Sequence, residues 1–354
     1  MTVHHPADTA ITESDPRLLE LQAWLTQSLA LPVQSIAPAS SDASFRRYFR
    51  VRLPDKQSLV VMDAPPAQED SRPFITVAAM LRTIGLTVPD VVAADLERGY
   101  LLLSDFGKTR YLDVLAADNA ESLYQDALNA LERLQIHGPR DSRLPAYDRA
   151  LLLAEMQLFP DWLLSHHLQL APTPEQLTML SHVFELLADV ALEQPQVCVH
   201  RDYHSRNLMV MAEKSPGVID FQDAVVGPIH YDLVSLLRDC YITWPREQVE
   251  SWALAYRQRP EIRVLSGAVS DATWLRWFDL MGVQRHLKAS GIFARLWYRD
   301  GKPGYLADIP RTLHYMQEVA GRYPELASLH AYLATTVAPR LAQIANTSAT
   351  AKQP

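Results

Sequence analysis

Cysteine is almost absent: the 354 residues hold two, Cys198 and Cys240. Two thiols cannot build a disulfide framework, and they fit a reducing compartment. Long apolar runs are missing too. No stretch approaches the roughly 20 residues that a membrane span needs. The opening MTVHHPADTAITESD has no apolar segment of the kind a secretory signal carries. A cytoplasmic protein without a membrane partner is expected. Positive charge is in deficit, with 33 Lys+Arg against 41 Asp+Glu and a formal net charge of −8. Binding a phosphate backbone takes clustered cations, so nucleic acid is not expected as a partner. No internal repeat is found, which excludes a solenoid. What remains is ordinary globular composition, 48% hydrophobic and 21% charged, which excludes disordered and collagen-like chains.

Two zones emerge along the chain. The first, residues 1–103, carries strand-like runs at 48–53 (YFRVRL), 59–62 (LVVM) and 100–103 (YLLL). Between them, Phe74, Val77, Ala78, Leu81 and Ile84 recur at helical spacing until Gly85 stops the pattern. Asp15-Pro16 opens another helix over 18–29. The second zone, 108–340, is mostly helical. Thr173-Pro174 starts one helix, and Trp274, Trp277, Phe278 and Met281 line another over 271–292, where they read as packed core. Short β-like pieces fall at 197–199, 208–211 and 217–219. The two zones meet at a hinge over 104–107, and residues 341–354 are expected to be a flexible tail. The expectation is an α+β, bilobal chain with a small β-rich N-lobe and a larger helical C-lobe.

The chemistry concentrates in residues 199–223, VHRDYHSRNLMVMAEKSPGVIDFQD. His200-Arg201-Asp202 is followed by Asn207 five positions after the Asp, and by Asp220 thirteen positions later. This spacing matches H-R-D-x-x-x-x-N with a following metal-binding Asp. Phosphoryl transfer to a hydroxyl needs a carboxylate to orient the nucleophile and accept its proton, and hard oxygen ligands to hold Mg²⁺ on the ATP phosphates. Asp202 reads as the catalytic base, and Asn207 and Asp220 as metal ligands. A hairpin of 208–211 and 217–219 would bring these two side by side. His200 reads as a packing residue that braces the loop. The earlier Asp105-Phe106-Gly107 imitates a kinase metal motif, but it ends a strand at the hinge, where Asp105 would lie beside the nucleotide.

With these motifs the chain resembles the aminoglycoside phosphotransferase superfamily, small-molecule kinases with a bilobal protein-kinase-like fold. The segment VGPIHYDLVSLLRD enters a helix soon after Asp220, where a protein kinase would run through a long activation segment to A-P-E. The resemblance implies that Asp232 braces the catalytic loop from below. The stretches SDASFRRYFRV, VVMDAPP and VQRHLKASGIFARLWYRDGKPGYLADIPR are similar to the bacterial anomeric kinases of N-acetylmuramate and N-acetylglucosamine. That similarity implies ATP-dependent phosphorylation of the C1 hydroxyl of an amino sugar, giving a sugar 1-phosphate for peptidoglycan recycling. A monomer is expected. An aminoglycoside, a choline-like alcohol or homoserine stays open as acceptor, and so does a non-catalytic nucleotide-binding module.

The phosphate-gripping parts depart from the kinase pattern. Residues 40–47, SSDASFRR, contain no glycine, Met62 stands where the strand lysine is expected, and Asp63 beside it has the wrong charge. Glu69 precedes the helix and is not expected to pair with a lysine equivalent. Arg46 or Arg47 would supply the missing charge, since arginine grips phosphate bidentately. Ser41 and Ser44 would cradle the phosphates with backbone amides. Acceptor candidates are Tyr203, His204, Gln222 and Asp223 on the loop, and Arg238, Arg285, His286 and Lys288 further on. The last three could bind a carboxylate.

Overall fold

The structure, a computed structural model, describes residues 15–41, 45–213 and 215–350. Five strands form one antiparallel sheet: β1 (Ser35–Ser41), β2 (Arg47–Arg52), β3 (Ser58–Asp63), β4 (Val91–Asp95) and β5 (Tyr100–Ser104), in the order β1-β2-β3-β5-β4. Gly99 turns the β4–β5 hairpin at φ +77°, and a Cβ there would lie 1.9 Å from the Ala64 carbonyl. Helix α1 (Pro16–Ala23) starts where the Asp15 carboxylate accepts from the amides of Arg17 and Leu18.

Side chains alternate across a sheet, so each strand serves two cores. Phe49, Val51, Val61, Tyr100 and Leu102 join Leu18 and Leu21 of α1 on the outer face. Met62, Leu101 and Leu103 face the other way and share a core with Phe74, Val77 and Leu81 of α2 (Arg72–Thr83). That inner core continues into the C-lobe, and Phe74 meets Phe221 with ring centroids 4.8 Å apart.

The C-lobe is built from α3 (Tyr111–Val114), α4 (Ala120–His137), α5 (Arg149–Met156), α6 (Pro174–Glu193), α7 (His230–Leu237), α8 (Arg246–Arg257), α9 (Pro260–Ser266), α10 (Asp271–Tyr298) and α11 (Ile309–Ala320). Thr173 and Gln176 close a capping box on α6, and the Ser270 hydroxyl caps α10 by accepting from Thr273 N. The 28-residue α10 runs through the lobe against α5, α6, α7, α8 and α11. Its aromatic stripe, Trp274, Trp277, Phe278 and Met281, is core. Two small ribbons frame the loops above it: β6 (Gln196–Val199) pairs β9 (Val225–Pro228), and β7 (Leu208–Met209) pairs β8 (Gly217–Val218). A helix over Ala338–Thr350 takes up much of the segment expected to be a flexible tail. Its alanines favour helix, which outweighs the segment's small, polar character. Among the described residues no helix is long and apolar enough to cross a membrane.

Candidate active site

The loop after β6 is held from beneath by buried acids. The carboxylate of Asp232, on α7, accepts from His200 N at 2.6 Å and Arg201 N at 3.0 Å. Asp239 accepts from Ser205 N and Tyr241 N, each at 2.9 Å. Arg201 adopts φ +77°, costly for a side-chain-bearing residue. Its guanidinium is tied to Glu155, whose other oxygen accepts from Tyr147. The Asp202 amide donates to His200 Nδ1 at 3.2 Å, so the His200 Nε2–H donates to the Ile219 carbonyl at 3.1 Å. Burial pushes His200 down to about 4, so it stays a neutral strut between the two halves of the site. Burial also pushes Asp232 up to about 7, against the pull of the two amides it serves.

Asp202 sits at the end of this braced turn. Burial alone would raise its carboxyl, but the charges of Lys288, His204 and Arg285 outweigh burial and hold it below the ordinary carboxylate value. Asp202 is therefore ionised at neutral pH and able to accept a proton. Asn207 Nδ2 donates to the Asp202 carbonyl at 3.0 Å and to Asp220 Oδ2 at 3.2 Å. The hairpin, with Ile219 N donating to the Asn207 carbonyl at 3.1 Å, thus sets the amide beside the carboxylate. Asp220 is held at φ +65°. Gln222 Nε2 donates to Asp220 Oδ1 at 2.9 Å, leaving its own Oε1 buried without a partner. An amide and a carboxylate beside an unused buried oxygen suit a hard cation that keeps several outside ligands. No cluster of three or more His, Cys, Asp or Glu exists among the described residues that could hold a metal by protein groups alone.

The two N-lobe arginines separate. Arg47 lies on the outer face, directly opposite Asp63 in the ribbon, and donates to it at 2.5 and 2.9 Å and also to Asp15. Arg17 completes this network at 2.6 Å from Asp63. The expectation that Arg47 binds nucleotide is corrected: pleat parity aims it away from the cleft. Arg46 faces the cleft, 3.5 Å from Glu69 and 3.9 Å from Asp220. Glu69 does pair with the cation here, although it lies before α2. Asp105 is also reassigned. Its carboxylate takes Arg50 at 2.6 and 2.9 Å, the Ser58 hydroxyl at 2.7 Å and the Gly107 amide at 2.9 Å, so it locks the hinge. Ser41 closes β1. Ser44 lies outside the described residues.

The acceptor candidates divide as well. Tyr203 points into the C-lobe core and donates to the Ala127 carbonyl at 2.8 Å, so it cannot touch a substrate. Arg238 is buried near Asp279 (3.6 Å) and Glu318 (3.5 Å), and His286 donates to the Arg238 carbonyl at 2.9 Å and stacks on Tyr315. Both are reassigned as structural: Arg238, at the C-terminal end of α7, and His286, on α10, are buried in the helical core. Arg285 and Lys288 do reach the site. Arg285 donates to Cys240 Sγ at 3.2 Å, and Lys288 contacts Glu155 and the Tyr231 hydroxyl, both at 2.9 Å. His204 is buried, edge-on to Tyr241 at 5.3 Å, with Nδ1 unpartnered. Asp223 is exposed, and its carbonyl accepts from Arg201 at 3.4 Å.

Sequence reasoning missed Glu155, Arg206 and Tyr241. A single acid in the apolar run LLLAEM was a signal for Glu155. Arg206 and Tyr241 have no marker in spacing, because they meet only through the fold.

The chain matches the phosphotransferase enzyme family over residues 35–277. It is 47% identical over 327 residues to the N-acetylmuramate/N-acetylglucosamine kinase of Pseudomonas putida, covering 90% of this chain and 96% of that one. Identity to the kinase of the same description from Pseudomonas aeruginosa is 47% over 334 residues, covering 91% and 97%. Among solved structures, an ethanolamine kinase of Plasmodium vivax superposes with a TM-score of 0.63 at 11% identity, covering 92% of this chain and 93% of that one. An ADP-bound aminoglycoside phosphotransferase gives 0.56 at 17%, covering 86% and 99%. The distant superpositions carry the fold, and the family match spans the five-stranded sheet and the Asp202 loop together, so this chain belongs to the phosphotransferase enzyme family.

Proposed function

We propose that the protein transfers the γ-phosphoryl group of ATP to the anomeric C1 hydroxyl of an amino sugar, N-acetylmuramate or N-acetylglucosamine. The observation that carries this reading is the ionised Asp202 at the end of a strained, acid-braced turn, within one hydrogen bond of the Asn207–Asp220 pair. The relatives' descriptions supply the sugar class. Asp202 would orient the hydroxyl and take its proton at a carboxylate oxygen while the phosphoryl group moves in line. No covalent enzyme intermediate is needed, because the work is positioning and electrostatics. Arg46, steadied by Glu69, would reach the phosphates in place of a strand lysine, which Met62 cannot do from the buried inner core. Asn207 and Asp220 would hold Mg²⁺, which when bound offsets phosphate charge. A cytoplasmic monomer needing only the nucleotide, the ion and the sugar fits this reading.

Phosphorus NMR of the protein with ATP, Mg²⁺ and either sugar tests it. The expected result is a new phosphate resonance coupled to the anomeric proton. A phosphate coupled to C6 protons would keep the kinase and reject the C1 assignment, and no product with either sugar would reject the sugar reading.

A further inference from the structure

Arg206 stands between Asp202 and Asn207 on the catalytic loop, and neither the base nor the metal site uses it. Its guanidinium lies 3.7 Å over the ring centroid of Tyr241 and 5.2 Å from that of Tyr305. Stacking of this kind fixes the plane of the fork while leaving its edge free to donate. Among the described residues that edge makes no hydrogen bond, and Nε is buried without a partner. The nearest carboxylate, Asp308, is 3.8 Å away, and it already accepts from Arg311 at 2.9 Å. A half-buried, permanently charged fork whose one carboxylate neighbour is distant and already shared keeps donors open for a ligand. Its neighbours share the condition. His204, edge-on to the same Tyr241, has an unpartnered buried Nδ1, and Arg285 has an unpartnered buried Nε. The Asp239 carboxylate is already taken by the amides of Ser205 and Tyr241.

We propose that Arg206, clamped between Tyr241 and Tyr305 beside His204 and Arg285, recognises a carboxylate on the acceptor sugar and sets the preference for an acidic over a neutral amino sugar. This rests on the sugar-kinase reading above and deepens it. N-acetylmuramate and N-acetylglucosamine differ by one lactyl ether, so a single bidentate contact can separate them. The same positive cluster opposes a polycationic acceptor.

The test compares N-acetylmuramate, its methyl ester and N-acetylglucosamine. With the unaltered enzyme, the KM for the acid should lie at least about tenfold below that for the ester, the scale of one charge-assisted contact. In Arg206→Gln the kcat/KM ratio of N-acetylmuramate to N-acetylglucosamine should fall by about 10- to 100-fold, carried by the KM of the acid. Arg206→Lys should recover part of that ratio, since it restores charge without the fork. Equal KM values for acid and ester in the unaltered enzyme overturn the proposal without any variant. An equal loss on both sugars in Arg206→Gln overturns it while leaving the sugar-kinase reading in place. Failure to phosphorylate either sugar overturns that reading and this proposal with it.

Discussion

On the outer face of the β2–β3 ribbon, Arg47 is bonded to Asp63 and Asp15 with Arg17 alongside, and nothing there faces the cleft. One residue earlier, on the cleft face, Arg46 is 3.5 Å from Glu69 and 3.9 Å from Asp220. Two identical side chains, adjacent in sequence at the start of β2, are parted into an ion pair that holds α1 to the sheet and a cation that meets Asp220. The outer network closes on protein groups. The cleft group of Arg46, Asp220 and Gln222 includes an oxygen that no protein atom uses. Self-sufficiency on one face and open valence on the other is the physical difference between a structural and a functional charge cluster.

The largest effect should come from the far side of the cleft. Asp202→Asn keeps the shape of the residue and the hydrogen bond its backbone N–H donates to His200 Nδ1, but removes the proton acceptor. Turnover should fall by about 10²–10⁴-fold, the range of positioned general-base catalysis. Nucleotide affinity and melting temperature should stay near those of the unaltered protein. Steady-state kinetics with calorimetry check this, and a fall in stability as large as the fall in rate would place Asp202 with the structural acids.

Legibility in the sequence followed the same division. Where chemistry fixes spacing, as at Asp202, Asn207 and Asp220, the residues could be singled out from the chain, and the structure brings them within hydrogen-bonding reach of one another. The sheet runs were also readable, because apolar alternation marks strands. Parity was not. Nothing in SFRRYF says which arginine faces the cleft, since that depends on where the partner strand places Asp63. Polar residues on α10 gave the same difficulty. Arg285 and Lys288 reach the site while His286 turns into the core. A helix buried on nearly every face carries no polar stripe to distinguish them. Glu69 precedes α2, a position that hides its pairing in the sequence, yet its side chain spans the gap to Arg46.

The two arginines can be set against each other directly. Arg46→Ala should weaken turnover by about 10- to 100-fold, mainly through the KM for ATP, as expected for one lost charge-assisted phosphate contact. Stability should change little. Arg47→Ala leaves the fully buried Asp63 with Arg17 as its remaining cation. It should cost about 1–3 kcal/mol of stability, the scale of a lost hydrogen bond to a charged group. Turnover per folded molecule should hold. Chemical denaturation and ATP titration of both variants decide it. A swapped pattern would mean that the functional cation lies on the outer face.

The smallest effect concerns acid and isolates the outer network alone. The hydrogen bond from Arg47 holds the Asp15 carboxyl below its ordinary value, with the amides of Leu18 and Arg17 adding to it. A carboxyl depressed in the folded state stabilises fully above its unfolded pKa, and that contribution is lost as pH falls through the folded value. Asp232, which burial raises to about 7, has the opposite sign. It is common to the unaltered protein and Arg47→Ala, so it cancels in their difference. That difference in unfolding free energy should be flat from neutrality down to about pH 5 and then narrow towards pH 3, because the unfolded Asp15 titrates near 4. Denaturant melts at closely spaced pH values read it directly. A gap that stays constant through pH 3 would show that Arg47 holds α1 through packing against Phe49, over whose ring its guanidinium also lies at 5.5 Å, and not through charge.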